Sequence, residues 1–342
     1  MIPPIRRLLS HLQQQKRPSR LVLDCYHTRR ICPAMAQLNG VNGALPVQVQ
    51  VPADKDSPRK MKILMLHGIS PFPSSHNSKA DNAPPGYTQS GALFHAKTRS
   101  LEKLLLKSFP AKPTSPLYAT YPGGITLTYP TAPIRLLPAD IPGADLQSDK
   151  DSDAWGWWKR ETGSGRYAGL EEGLDAIARA IREMGGVDGV IGFSQGAAAA
   201  GFVASLLESG RRDSFAAVQK GDPEAFRYPL SWEGLEELCP GGVRFAVCYS
   251  GFATPSDIYR GFYEPRVKVP ALHFIGSLDS VVEESRSLAL VEATENGRTV
   301  YHPGGHFVPV GKDMGGVLVG FIRECCEIKK EDESVEDMDV PF

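Results

Sequence analysis

Ser194 stands in Gly192-Phe193-Ser194-Gln195-Gly196, after the mostly apolar run Val187–Phe193 and before four alanines. A strand that turns sharply into a helix through Gly-x-Ser-x-Gly presents one hydroxyl at the turn, with the helix N-terminus facing it. The glycines remove side chains where such a turn would clash, and Gln195 supplies the next backbone N–H for an oxyanion. A serine hydroxyl is a weak nucleophile and needs a base that is itself oriented by a carboxylate. Asp279 lies in Gly276-Ser277-Leu278-Asp279, just past a strand predicted over Ala271–Ile275. His306 lies in Pro303-Gly304-Gly305-His306, past a shorter strand predicted over Thr299–His302. Together these residues suit acyl transfer through a covalent serine intermediate.

Each member has a rival. Ser194 could be an incidental serine in a tight turn, and Asp279 could serve only as the N-cap of a helix over Val281–Leu290. His302 falls within a strand before a proline and His273 within another strand, so both are expected to be packed. His67 precedes Gly68 after the first strand, where a supporting role for the oxyanion loop is expected. Asp257 also follows a strand and a Ser-Gly turn and is the competing carboxylate.

Strand-like and helix-like segments alternate from Lys62 onward. Lys62–Leu66, Pro116–Tyr121, Gly186–Phe193, Val243–Ser250, Ala271–Ile275 and Thr299–His302 read as strands. Ala92–Phe109, Tyr167–Met184 and Gln195–Leu207 read as helices, and Val308–Ile328 closes the pattern. This predicts a mostly parallel central sheet with helices on both faces, an α/β fold. The chain order serine, aspartate, histidine is the one expected of the α/β-hydrolase fold. Residues 69–86, 122–158 and 208–240 do not fit the alternation. The last two are expected to be lid-like, their Trp155, Trp157, Trp158, Phe226, Tyr228 and Trp232 either lining an apolar acyl pocket or packing over the sheet.

The 342 residues are 42% hydrophobic with a net charge of −1, which points away from nucleic acid as a partner. The six cysteines form no metal-type or ladder spacing, so no metal, no disulfide framework and a reducing, cytoplasmic or also nuclear setting are expected. No apolar run reaches the ~18 residues a membrane span needs. Residues 1–60 read as a basic extension. Within it, residues 1–36 hold seven basic residues and one acid, so mitochondrial targeting is the alternative to an unstructured arm. The segment 61–328 is the expected domain, and 329–342 an acidic tail.

The motifs LMLHG at 64–68, YTQSGALFHAKTRSLEKLL at 87–105, LTYPTAP at 127–133, AWGWW at 154–158, GVIGFSQGAAAA at 189–200, HFIGSLDSVV at 273–282 and HPGGHFVP at 302–309 form a specific set. Over residues 61–325 the chain resembles the FSH-type serine hydrolases, a fungal family with an ovarian-cancer-associated animal relative. The resemblance implies an α/β-hydrolase without cofactor, with Ser194 as nucleophile, Asp279 as triad acid and His306 as base. It implies a small acyl ester or thioester as substrate, and in some members an acyl carrier protein as partner. One departure stands out. In the family the His-Gly pair runs directly into Tyr-Thr-Gln-Ser-Gly, and the residue after that glycine gives the second oxyanion N–H. Here the 18 residues of 69–86 intervene, either a translated intron or a genuine loop insertion at the mouth of the site. The second donor is then Tyr87 or Ile69.

Three functions follow as expectations: an esterase for short-to-medium acyl chains, a thioesterase releasing acyl or polyketide chains from a carrier protein, or a non-catalytic binding protein whose oxyanion loop is disrupted.

Overall fold

The computed structural model describes residues 57–69, 90–137, 140, 154–161 and 163–327. The basic segment 1–36, Tyr87, all of 69–86 except Ile69, and the acidic tail lie outside them. In chain order the described elements are β1 (Met61–Leu66), α1 (Gly91–Lys97), α2 (Arg99–Ser108), β2 (Ile125–Thr128), β3 (Ile134–Arg135), β4 (Trp155–Gly156), β5 (Lys159–Arg160), β6 (Tyr167–Ala168), α3 (Leu170–Met184), β7 (Gly189–Phe193), α4 (Gln195–Leu206), α5 (Arg211–Gly221), α6 (Leu235–Leu238), β8 (Phe245–Tyr249), β9 (Ala271–Gly276), α7 (Glu284–Glu292), β10 (Gly297–His302) and α8 (Lys312–Cys326).

Six strands make one parallel sheet in the order β10-β9-β8-β7-β1-β2. Its central strands are apolar on both faces because both are covered. Leu64, Leu66, Val190, Ala246 and Cys248 face a layer containing α3 and α4. Met61, Ile63, Met65, Ile191, Phe193, Val247 and Phe274 face the opposite layer, with Leu101 and Leu105 of α2 and Leu318, Phe321 and Ile322 of α8. From β1 the chain moves outward to β2, and from β7 it moves the other way. The carboxyl ends of β1 and β7 therefore flank the point where strand order reverses, the place where open α/β sheets form their binding crevice.

Several expectations shift. The second strand is Ile125–Thr128, while Pro116–Tyr121 forms turns between Pro113 and the left-handed Gly124, whose φ is 73°. The helix expected over Ala92–Phe109 breaks at Thr98, whose Oγ1 donates to Phe94 O at 2.7 Å beside the Thr98 N–H bond to the same carbonyl, a back-bond of the kind that bends helices. Tyr167–Ala168 pairs as a short strand with Lys159–Arg160, and α3 starts only after the left-handed Gly169. The 208–240 segment is not structureless: it carries α5 and α6, too short and polar to declare themselves by periodicity. Cys239, Cys248, Cys325 and Cys326 are free thiols.

Candidate active site

The end of β7, the start of α4 and the end of β1 meet with no room for side chains. A Cβ on Gly192 would lie 2.1 Å from Gly196 O, and one on Gly196 would lie 2.2 Å from Leu66 O. A Cβ on Gly68 would lie 2.6 Å from Phe193 O and 2.7 Å from Ser194 Cβ. Ser194 itself has φ 54° and ψ −119°, a conformation costing a non-glycine residue about 1–3 kcal/mol. The turn is thus strained and closely backed, and it holds Ser194 buried at the carboxyl end of β7. Gly196→Ala is expected to destabilise by about 3 kcal/mol or more, since backbone cannot yield as a side chain can. Gly320→Ala on α8, where an added Cβ meets nothing, is expected to stabilise by about 0.5–1 kcal/mol. Thermal unfolding of the two variants checks the contrast.

Asp279 and His306 reach each other because β9 and β10 are parallel neighbours with His302 opposite Gly276. Their loops leave the sheet side by side, tied by Ser277 N–H to His302 O at 2.9 Å and Leu278 N–H to Gly304 O at 3.0 Å. His306 Nδ1 is 2.8 Å from Asp279 Oδ2, with both side chains buried. Asp279 Oδ1 accepts from the N–H groups of Val281 and Val282, each at 2.9 Å. The helix expected over Val281–Leu290 begins at Glu284, so Asp279 braces the turn before α7 and is not its N-cap. The His306 ring packs against Phe193, 4.9 Å between centroids, beside the elbow. Its Nε2 is buried and has no hydrogen-bond partner among the described residues. The Ser194–His306 hydrogen bond is not made in this conformation; such bonds are often long in unliganded sites and tighten around substrate.

Burial alone would raise the Asp279 carboxyl, but the bonds from His306, Val282 and Val281 outweigh it and hold the pKa down to about 2 from 3.8. A carboxyl depressed on folding adds stability above its unfolded pKa, and that stability is lost as pH falls through the folded value. The expected contribution is about 2 kcal/mol, fully present above roughly pH 5 and gone near pH 1. Asp279→Asn is accordingly expected to flatten the fall in melting temperature between pH 5 and pH 2.5, measured by thermal unfolding against the parent chain.

The rivals occupy other places. His273 lies within β9, where burial pushes its pKa down to about 4 and keeps it neutral. His302 is buried edge-on to Phe307 at 5.0 Å, and burial lowers its pKa against the pull of Asp279. Asp257 is exposed at the start of a short 3₁₀ helix, Asp257–Phe262. His67 is fully buried at the end of β1, its Nε2 accepting from Ala132 N–H at 3.0 Å and its Nδ1 directed at Gly68 O at 3.2 Å. That pattern assigns the proton to Nδ1 and makes His67 a brace.

At the first position of α4, Gln195 N–H has no acceptor among the described residues, as is general for the first turn of a helix. Ile69 follows directly on Gly68, and its N–H is likewise without an acceptor among the described residues. Of the aromatics expected around a pocket, Trp232 and Trp158 are core residues: Trp232 Nε1 donates to Leu174 O at 3.2 Å, and Trp158 stacks on Tyr167 at 5.1 Å. Trp157 is also buried, with Nε1 donating to His67 O at 2.9 Å. Phe226 and Tyr228 pack against the same core, and Trp155 is half-buried on β4. Packing therefore accounts for most of this set. A second residue at positive φ, Ser250 with φ 48°, sits at the end of β8 in the Ser-Gly turn noted before Asp257, and composition alone does not signal its strained backbone.

Among the described residues no helix is long and apolar enough to cross a membrane, and no cluster of His, Cys, Asp and Glu is arranged to hold a metal ion. The family profile described as Serine hydrolase (FSH1) matches residues 84–316. Esterase OVCA2 of Danio rerio is 30% identical over 254 residues, 70% of this chain and 93% of that protein. A protein of Schizosaccharomyces pombe named dihydrofolate reductase is 30% identical over 232 residues, 66% of this chain and 42% of that one. Family of serine hydrolases 3 of Saccharomyces cerevisiae is 28% identical over 278 residues, 77% of this chain and 84% of that one.

Proposed function

Because this chain belongs to the serine hydrolase (FSH1) family, we propose that it cleaves carboxylic esters of short-to-medium acyl chains through Ser194, His306 and Asp279. The observation that carries the reading is the buried 2.8 Å contact between Asp279 and His306 at the same sheet edge as the strained Ser194 turn. His306 Nε2 takes the Ser194 proton as Oγ attacks the carbonyl carbon. Asp279 holds Nδ1–H and stabilises the imidazolium that forms. The tetrahedral oxyanion is received by Gln195 N–H and, in this reading, Ile69 N–H. His306 then protonates the leaving oxygen, and water repeats the steps on the acyl-enzyme to release acid and free Ser194.

A fluorophosphonate probe tests the nucleophile: covalent mass is expected on the peptide containing Ser194, and unlabelled protein sinks the hydrolytic reading. The second oxyanion donor has its own test. Ile69→Pro removes that N–H and is expected to lower kcat by about 10²–10³-fold. If kcat holds and Tyr87→Pro lowers it instead, the donor is Tyr87.

A thioester is the competing substrate, delivered free or on a carrier protein. The same chemistry serves both, with thiolate in place of alkoxide as leaving group. Matched acyl groups presented as an alkyl ester, a pantetheine thioester and a carrier-bound thioester separate them by kcat/KM.

A further inference from the structure

In the mechanism above Gln195 serves only through its backbone, yet the residue is 6% exposed and both polar atoms of its side chain are bonded. Oε1 accepts from Trp157 N–H at 2.7 Å, and Nε2 donates to Trp158 O at 2.9 Å. We propose that the Gln195 carboxamide is a positioning group for the oxyanion site, clamping the backbone of the elbow to the Ala154–Trp158 strap and through it to the end of β1.

A carboxamide carries a donor and an acceptor side by side, which is what adjacent backbone N–H and C=O groups of one strap require. The strap passes the constraint on. Trp157 Nε1 holds His67 O at 2.9 Å, and the two rings pack at 5.2 Å. His67 in turn fixes Ala132 N–H and stands directly before Gly68 and Ile69. At Gly156 the strap comes so close that a Cβ there would lie 3.0 Å from Ile69 Cδ1 and 3.2 Å from Gln195 Oε1. The residues bearing the two proposed oxyanion donors, Gln195 and Ile69, are therefore tied to one strap. Oxyanion stabilisation depends on donors already placed where charge develops, so small displacements act on the transition state more than on bound substrate.

The inference rests on the proposed hydrolytic reading, and the experiment separates the two. Gln195→Met keeps length and loses both bonds. It is expected to lower kcat about 10- to 100-fold with KM within about twofold, and to weaken a trifluoromethyl ketone that forms a tetrahedral adduct by the same factor. Gln195→Glu is the variant that distinguishes positioning from filling. Ionised, the introduced carboxylate faces Trp158 O with no donor; protonated, it restores both bonds. Burial raises a carboxyl pKa, so activity relative to the parent chain is expected to recover as pH is lowered from 8 to 5. Both variants are assayed well below their melting temperatures. An unchanged kcat in Gln195→Met, or a relative activity of Gln195→Glu that does not move with pH, overturns the clamp while leaving the hydrolase intact. If Gln195→Met does not fold, the pH profile of Gln195→Glu decides alone. A parent chain that neither turns over ester nor labels at Ser194 overturns both readings.

Discussion

Replacing Ser194 by alanine is expected to lower kcat for a short-chain acyl ester by about 10⁶-fold and to abolish fluorophosphonate labelling. The size follows from the nucleophile acting as a unit with its base. Without Oγ there is no acyl-enzyme, and His306 and Asp279 have nothing to activate, so only binding and oxyanion contacts remain. The fold is expected to tolerate the change. The Ser194 hydroxyl caps no helical N–H, and alanine bears the same positive φ at similar cost. Ser194→Gly relieves that strain and is expected to melt higher than Ser194→Ala by the equivalent of about 1 kcal/mol. Active-site titration with the fluorophosphonate, alongside thermal unfolding, reads both effects.

The second large effect comes from Asp279→Asn, which is expected to lower kcat about 10⁴-fold at neutral pH while binding of substrate changes little. The local hydrogen bonds dictate the reason. Two backbone donors, Val281 N–H and Val282 N–H, point at Oδ1. An asparagine must turn its carbonyl oxygen toward them, leaving its NH₂ against His306 Nδ1. Nδ1 then has to accept, so the ring proton moves to Nε2, the atom that must take the Ser194 proton. The ring is held in place and in the wrong tautomer. An equal loss in kcat and kcat/KM supports this account; a rise in KM with kcat unchanged would count against it.

Much of this site was legible in the sequence because its residues follow strand ends. Once β7, β9 and β10 are recognised as apolar runs, Ser194, Asp279 and His306 fall on loops at one edge of a parallel sheet, whatever lies between them. What stayed hidden depends on contacts that have no period. Trp157 and Trp158 bond the Gln195 side chain across nearly forty positions, and Trp157 reaches His67 across 90. No local pattern signals such pairs, so the aromatics left pocket lining and packing both open, and most of them pack. The misplaced second strand has a different cause. Pro116–Tyr121 has the composition of a strand, but the turn at Gly123-Gly124 delivers the chain to the sheet only at Ile125. The break between α1 and α2 at Thr98 coincides with one side-chain bond that hydrophobic spacing does not record.

The placement of β9 and β10 at one border of the sheet also bears on how the molecule comes into being. A ribosome produces Ser194 and its elbow after β1, β2 and β7, and His306 follows roughly a hundred residues later. At ordinary rates of synthesis that gap is on the order of ten seconds. Throughout it the nascent chain holds the proposed nucleophile without its proposed base. On the proposed mechanism, reactivity is expected only once β10 has docked and His306 has followed it, so chains cut short before β10 are expected to be silent toward acyl groups.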